Sequence, residues 1–275
     1  GGINAQPVNV GFILVDEPEY LPTQMGKSWK IGIDFGTSST MLYYRSGTGE
    51  PLPLALQSNL FQVTDSGIMR NLTYQNFIPS STDDQQTGSF LSIFQLLNGK
   101  LLNGQQPQIR PLQDGNVFWL LAGSDGYFRE NSSQIDTNLK WSSDMVGRLK
   151  VAAYVKQICL QSLAEAAKHG VGNISWNFSF PTAFSAQQAM TFQSTCQDAV
   201  QESLQDSGFV AGNTAVNAPE YWPESKASAY YFSRLSGDNL SGGAICMDIG
   251  AGTTDISVIS GQPARIVYHT SLQFA

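Results

Sequence analysis

The sequence predicts an α/β layer fold, and two observations predict it. Two segments far apart in the chain, IGIDFGTSST (residues 31–40) and AICMDIGAGTTDIS (residues 244–257), share one pattern. Each is an apolar strand ending in Asp, then a tight turn rich in Gly, Thr and Ser, then a second apolar strand. Between them, helical and strand periodicities alternate, the order that lays helices onto a sheet.

The first hairpin places Ile31 and Ile33 on one strand and Met41, Leu42, Tyr43 and Tyr44 on the return. Residues 48–140 carry Gly, Asn and Gln turns, short strands such as residues 117–122, and an acidic loop at Asp83 and Asp84. Residues 151–169 have apolar positions at 151, 155, 158, 159, 163 and 166, which is helical spacing; Lys168 and His169 close the last turn and Gly170 stops it. Ile174, Trp176, Phe178 and Phe180 alternate with polar residues, so this stretch is a half-buried strand, ended by Pro181. Ser185 and Gln188 have the spacing of a capping box. The helix they open runs to about Asp206, with Ala189, Phe192, Cys196, Ala199 and Val200 on one face and Gly208 as its stop. A short strand is expected near residues 214–217, then Pro219, Pro223 and a helix from Glu224 to Arg234. The second hairpin sets Ile245, Met247 and Ile249 against Ile256, Val258 and Ile259, and a strand at residues 264–269 follows.

The turns point to phosphate chemistry. Gly36, Gly250 and Gly252 tolerate positive φ and leave no Cβ in the way. An anion can therefore approach the backbone N–H groups, which form a nest. Thr37, Ser38, Ser39, Thr253 and Thr254 add hydroxyl donors. Asp34 and Asp248 stand where each first strand meets its turn and would repel phosphate alone. They make sense around a hard cation, since Mg²⁺ prefers oxygen ligands and keeps several waters. Two copies with Asp at the same offset before Gly suggest two hairpins facing each other across a nucleotide cleft. The other common phosphate signatures, G-x-x-x-x-G-K-[ST] and G-x-G-x-x-G after a strand, do not occur.

Composition narrows the alternatives. The 275 residues suffice for one large domain or two modest ones, and the net charge of −7 argues against a nucleic-acid or anionic-membrane surface. Cys159, Cys196 and Cys246 fit neither metal spacing nor a disulfide framework and read as small buried hydrophobes. His169 and His269 are isolated, and read as a helix-end cation and a strand residue. No run of 18 apolar residues occurs, so no membrane span is expected. Residues 1–28 form a leader without the pattern of a signal peptide; its VNVGFILV patch reads as one extra strand. A cytoplasmic location is expected.

The two hairpins resemble the phosphate-1 and phosphate-2 motifs of the actin, DnaK-type (heat-shock-70) chaperone and sugar-kinase superfamily. The resemblance covers residues 30–260, and the stretch between the hairpins looks most like the DnaK type. There a helix leads into a strand reading like AVVTVPAYF, then a helix, a strand and an NEPTAAAIAY helix; the counterparts are residues 175–184 and PESKASAYYF at residues 223–232. The resemblance implies an actin-like ATPase domain with a ribonuclease-H-like motif, its first lobe complete and its second truncated. Residues 29–47 and 141–240 would form the first-lobe core, residues 48–140 the insertion subdomain, and residues 241–275 the start of the second lobe. It implies ATP or ADP with Mg²⁺ as ligands. Asp34 and Asp248 would be the metal-holding carboxylates, and Gly36, Thr37, Ser38, Ser39, Gly250, Ala251, Gly252, Thr253 and Thr254 the phosphate-binding residues. Asp34, Lys140, Glu224, Asp248 and Thr253 would serve hydrolysis. Lys140, in NLKWSS, stands near the family's catalytic lysine, and Glu224 on its acidic position near the metal and attacking water.

The sequence departs from the family at Ala251, where a middle Gly is usual, and at Ser225 and Lys226, which replace Pro-Thr after Glu224. A complete domain of this kind continues past the second hairpin into the part that carries the adenosine pocket, so weak or undetectable ATP affinity and no hydrolysis are expected of these 275 residues, with hydrolysis if a longer parent protein supplies the rest of the second lobe. A protein partner would bind through the insertion subdomain or the missing C-terminal region. Four functions stay open: a chaperone-like ATPase module that couples phosphate state to lobe closure, a non-hydrolysing actin-like assembly or scaffold protein, a small-molecule kinase, and a degenerate fold that binds no nucleotide.

Overall fold

A computed structural model describes residues 26–56, 89–96, 109, 111, 114–117, 129, 134–142, 144–209, 218–234, 240, 242–261 and 265–273. The leader strand, the acidic loop, residues 118–122 and the strand expected near 214–217 lie outside the described residues.

The main sheet grows from the first hairpin. β1 (Lys27–Phe35) pairs antiparallel with β2 (Ser39–Ser46), setting Ile33 opposite Leu42 and Asp34 opposite Met41. β8 (Val171–Phe180) lies parallel to β1 on its other side, with Asp34 beside Ser179, and β9 (Glu220–Pro223) lies parallel to β8. The outer edge of β2 is covered in two pieces. β3 (Leu52–Pro53) pairs near Tyr43 and Tyr44, and β4 (Ser89–Leu91) pairs along Ser39 to Met41. Residues from the 48–140 stretch therefore complete the main sheet. A small sheet of β5 (Phe94–Leu96), β6 (Gly115–Val117) and β7 (Ile135–Asp136) stands beside it.

Period-two alternation decides which face of the sheet is buried. Trp29, Ile31, Ile33 and Phe35 of β1 are buried while Lys30 and Asp34 are exposed, and Trp176 and Phe178 repeat the pattern on β8. Two helices cover the apolar face: α1 (Met145–Lys168) and α2 (Ala186–Asp206). α1 begins six residues before its apolar repeat does. Asp144 caps it by accepting the Gly147 N–H at 2.8 Å, and a Cβ at Gly147 would stand 2.4 Å from Ser142 Cβ. Packing against this turn, rather than periodicity, sets the helix start. α1 is buried around most of its girth because the sheet, α2 and β6 all press on it. Its Gln157 accepts the Val117 N–H at 3.0 Å and donates to Asn116. α2 opens with the capping box of Ser185 and Gln188. Gly170 and Gly208 follow the two helices at φ +69° and +73°, conformations that Gly adopts without a Cβ penalty.

β9 follows α2 at Glu220–Pro223, where the sequence reading has no strand. Among the described strands it pairs on one side only, and its last residue is a proline, as an edge strand allows. α3 (Glu224–Arg234) follows at once and leads to a second sheet of β10 (Ala244–Ile249), β11 (Thr253–Ser260) and β12 (Arg265–Gln273). α3 packs on the face of this sheet that carries Asp248, Asp255 and His269. On the opposite face Ile245, Met247, Ile249, Tyr268 and Leu272 are all more than half exposed. Cys159 and Cys196 are buried free thiols whose burial pushes them well above the usual range; Cys246 is half-buried and also free.

The first hairpin is pinned from the core. Tyr154 of α1 is fully buried against Phe35, and its hydroxyl reaches Thr40 Oγ1 at 2.8 Å and the Leu91 carbonyl at 3.1 Å. Tyr154→Phe keeps the packing and leaves these acceptors short of a donor. It is expected to lower the unfolding free energy by about 1–3 kcal/mol, read as a lower urea midpoint at unchanged slope.

Candidate functional site

The two turns are built differently but face one space. In the first, Ser92 works from beneath: its hydroxyl donates to the Gly36 carbonyl at 2.6 Å, and its N–H donates to the Ser38 carbonyl at 3.0 Å. Ser92 Oγ also lies 2.9 Å from Thr40 Oγ1. In the second, the Gly250 N–H donates to the Thr253 carbonyl at 2.8 Å. None of Gly36, Gly250 and Gly252 takes the positive φ expected of them; the described glycines that do are Gly47, Gly170, Gly208, Gly243 and Gly261. The turns need glycine for room instead. A Cβ at Gly36 would lie 2.4 Å from the Ser39 carbonyl oxygen, and one at Gly252 would lie 2.6 Å from Thr37 Oγ1.

Gly252 is thus where the second turn meets the first. Trp141 closes the seam: its indole N–H donates to Thr37 Oγ1 at 3.1 Å, and it would stand 3.1 Å from a Cβ on Gly252. Trp141 sits in a short 3-10 turn, Leu139–Trp141, anchored by the fully buried Leu139 and by an edge-on contact with Phe184 at 5.1 Å.

A cavity of about 130 Å³ lies between the turns. Its walls include Asp34, Gly36, Thr37, Ser38, Ser39, Lys140, Glu224, Asp248, Gly250, Ala251, Gly252 and Thr253, so the structure brings these expected residues together. Thr254 is not among them. On β11 alternate side chains face opposite ways, and the face of Thr253 next presents Asp255. Asp255 lines the cavity at 3% exposure and accepts from the Thr253 hydroxyl at 3.2 Å, while its other oxygen is buried without a hydrogen-bond partner among the described residues. Sequence reasoning missed Asp255, although period-two counting from Thr253 finds it. It also missed Ser179, whose hydroxyl donates to Asp34 at 2.6 Å, and Ser228, whose hydroxyl donates to Asp248 at 3.2 Å. Those two need the strand register and the helix packing, and neither has a signal in the sequence.

Electrostatics follow from this lining: four carboxylates and one ammonium. Lys140 Nζ meets Glu224 Oε1 at 2.5 Å, with the side chains 2% and 13% exposed. Burial pushes the Glu224 carboxyl up to about 7; the Lys140 ammonium pulls against this, and the charges of Asp34 and Asp255 add to the rise. Glu224 is thereby poised to hold or release a proton near neutral pH. Among the described residues, no three His, Cys, Asp or Glu side chains converge to hold a metal unaided. A second cavity of about 270 Å³ shares Asp34, Glu224 and Asp248, and Gly32, Tyr43, Asn177 and Trp222 also line it.

No protein-family model and no curated protein matches the sequence. Among solved structures, the chain is similar to one described as the MamK double helical filament, at 16% identity over 90% of this chain and a TM-score of 0.46. The chain spans about half of that protein's length, 55%. No helix among the described residues is long and apolar enough to cross a membrane.

Gly252→Ala is expected to force the turns apart and break the Trp141–Thr37 bond, seen as a changed tryptophan emission and a loss of about 1–3 kcal/mol in unfolding free energy. For Glu224, the folded value lies above its usual 4.5, so its contribution to stability is full below about pH 4.5 and is lost as pH rises through about 7. Relative to Glu224→Gln, the parent protein should lose on the order of 3 kcal/mol across that window, checked by urea unfolding of both proteins without divalent cations.

Proposed function

We propose that the chain is a nucleotide-binding module of the actin-like and DnaK-like kind, which takes the phosphates of ATP or ADP with Mg²⁺ between its two turns. The observation that carries this reading is the shared cavity, where two Gly-Thr turns from separate sheets present Asp34 and Asp248 beside a buried Lys140–Glu224 pair. Hydroxyls of Thr37, Ser38 and Ser39, with backbone N–H groups of the turns, would be the donors for phosphate oxygens, and the Thr253 hydroxyl would join them by leaving Asp255.

The donor set also fits a magnesium ion. An acidic cavity in which one carboxylate oxygen of Asp255 has no partner among the described residues favours a cation, and a set in which no three described ligands converge suits an ion that keeps most of its water. Asp34 and Asp248 would hold it through water, and such an ion neutralises charge on phosphate oxygens. Lys140 would face negative charge developing on a terminal phosphoryl group. Glu224, able to exchange a proton near pH 7, would help orient an attacking water and take its proton. Positioning and charge account for most catalysis of phosphoryl transfer. Closure of the two sheets on the ligand would pass its state to a protein partner.

Mg²⁺-dependent binding of pyrophosphate and ATP, titrated to millimolar concentration by calorimetry, tests the reading. Asp248→Ala is expected to weaken both by at least tenfold, about 1.4 kcal/mol, and to abolish any ATP hydrolysis. Binding that ignores Mg²⁺, or hydrolysis retained in Asp248→Ala, would reject the assigned roles.

A further inference from the structure

Ser225, the residue after Glu224, is 1% exposed, and its hydroxyl is held from two sides. Thr182 Oγ1, in the segment leaving β8, lies 2.6 Å from Ser225 Oγ. His269 Nδ1, on β12, lies 3.2 Å from it. The three side chains form a hydrogen-bond chain that starts at the main sheet, passes through the first turn of α3 and ends on the second sheet.

A serine hydroxyl has one hydrogen and can accept at its lone pairs. With Nδ1 accepting, Ser225 donates to His269 and accepts from Thr182. With Nδ1 protonated, Ser225 accepts from His269 and donates to Thr182. Either way both sides of the hydroxyl are engaged, and Ser225 is fixed relative to both sheets. Glu224 is bonded directly to Ser225 and heads the same helix, so fixing Ser225 fixes the backbone from which Glu224 reaches Lys140. A small apolar residue at 225 would fill the same space without tying α3 to β12. The polar chain is what makes the connection.

We propose that His269 is a positioning residue for Glu224, acting through Ser225, and that the Thr182–Ser225–His269 chain makes the place of Glu224 depend on how the second sheet stands against the first. The role of Glu224 in turnover rests on the function proposed above; the linkage itself does not.

The test compares the parent protein with His269→Leu, His269→Asn, Ser225→Ala, the Ser225→Ala/His269→Leu double variant and Asp248→Ala. His269→Leu and Ser225→Ala should lower kcat for Mg-ATP about tenfold or more with Mg-pyrophosphate affinity unchanged. His269→Asn, whose side-chain amide can stand where Nδ1 does, should keep most of the activity. The double variant should fall no further than either single variant, because both break one chain. Full kcat in His269→Leu, or equal losses of kcat and pyrophosphate affinity, overturns the proposal. If the parent protein binds pyrophosphate without turning over ATP, or if it neither binds pyrophosphate nor responds to Asp248→Ala, so that the nucleotide reading fails, the linkage is judged by amide hydrogen exchange at residues 228 and 229, the first that α3 protects by its own bonds. Faster exchange there in His269→Leu and Ser225→Ala, with His269→Asn unchanged, supports the linkage; unchanged exchange in all three refutes it.

Discussion

The close approach of the two turns at Gly252 is the constraint on which the site depends. Four carboxylates, a lysine and two sets of hydroxyls become one cavity only because a residue without a side chain lets Thr37 and Trp141 meet the second turn directly. Trp141 adds direction to the contact, since an indole N–H bonds along one line. The neighbouring Lys140 inherits its place from the same short turn, whose other residue, Leu139, is sunk in the core. Packing energy from the main core is thus converted into the location of a charge.

The same economy governs Glu224. It enters a buried setting with three other carboxylates lining the cavity, and the Lys140 ammonium is the one cation in that lining. Removing either partner leaves the other desolvated and without its bond, so each depends on the other for its place. The ordered path from β9 straight into α3 leaves no loop to absorb slack, and Glu224 stands at that junction.

Much of this was legible in the sequence, and the reason is periodicity. The alternation of β8, the capping box of α2 and the matched strands of both hairpins state their own geometry, and the structure follows them. Legibility failed where tertiary packing decides. The first turn of α1 has no apolar repeat and exists because Asp144 caps it and Gly147 fits under Ser142. The β9 strand is placed by its pairing with β8 and not by local preference. The turn glycines were read for their freedom to take positive φ, whereas their use is the space they leave. Asp255 was one step of strand counting away from Thr253, while Ser179 and Ser228 needed the sheet register and the helix packing to be found.

Ser92 carries a wider consequence. It comes from the stretch with the weakest pattern in the chain, yet it holds two carbonyls of the first turn and shares a hydroxyl network with Tyr154. The glycine-threonine bend is therefore not a self-contained cassette. Excised as a peptide, or grafted onto another scaffold with only its own two strands, it would lose the props that shape it, and a transplant would have to carry both the serine and the tyrosine along.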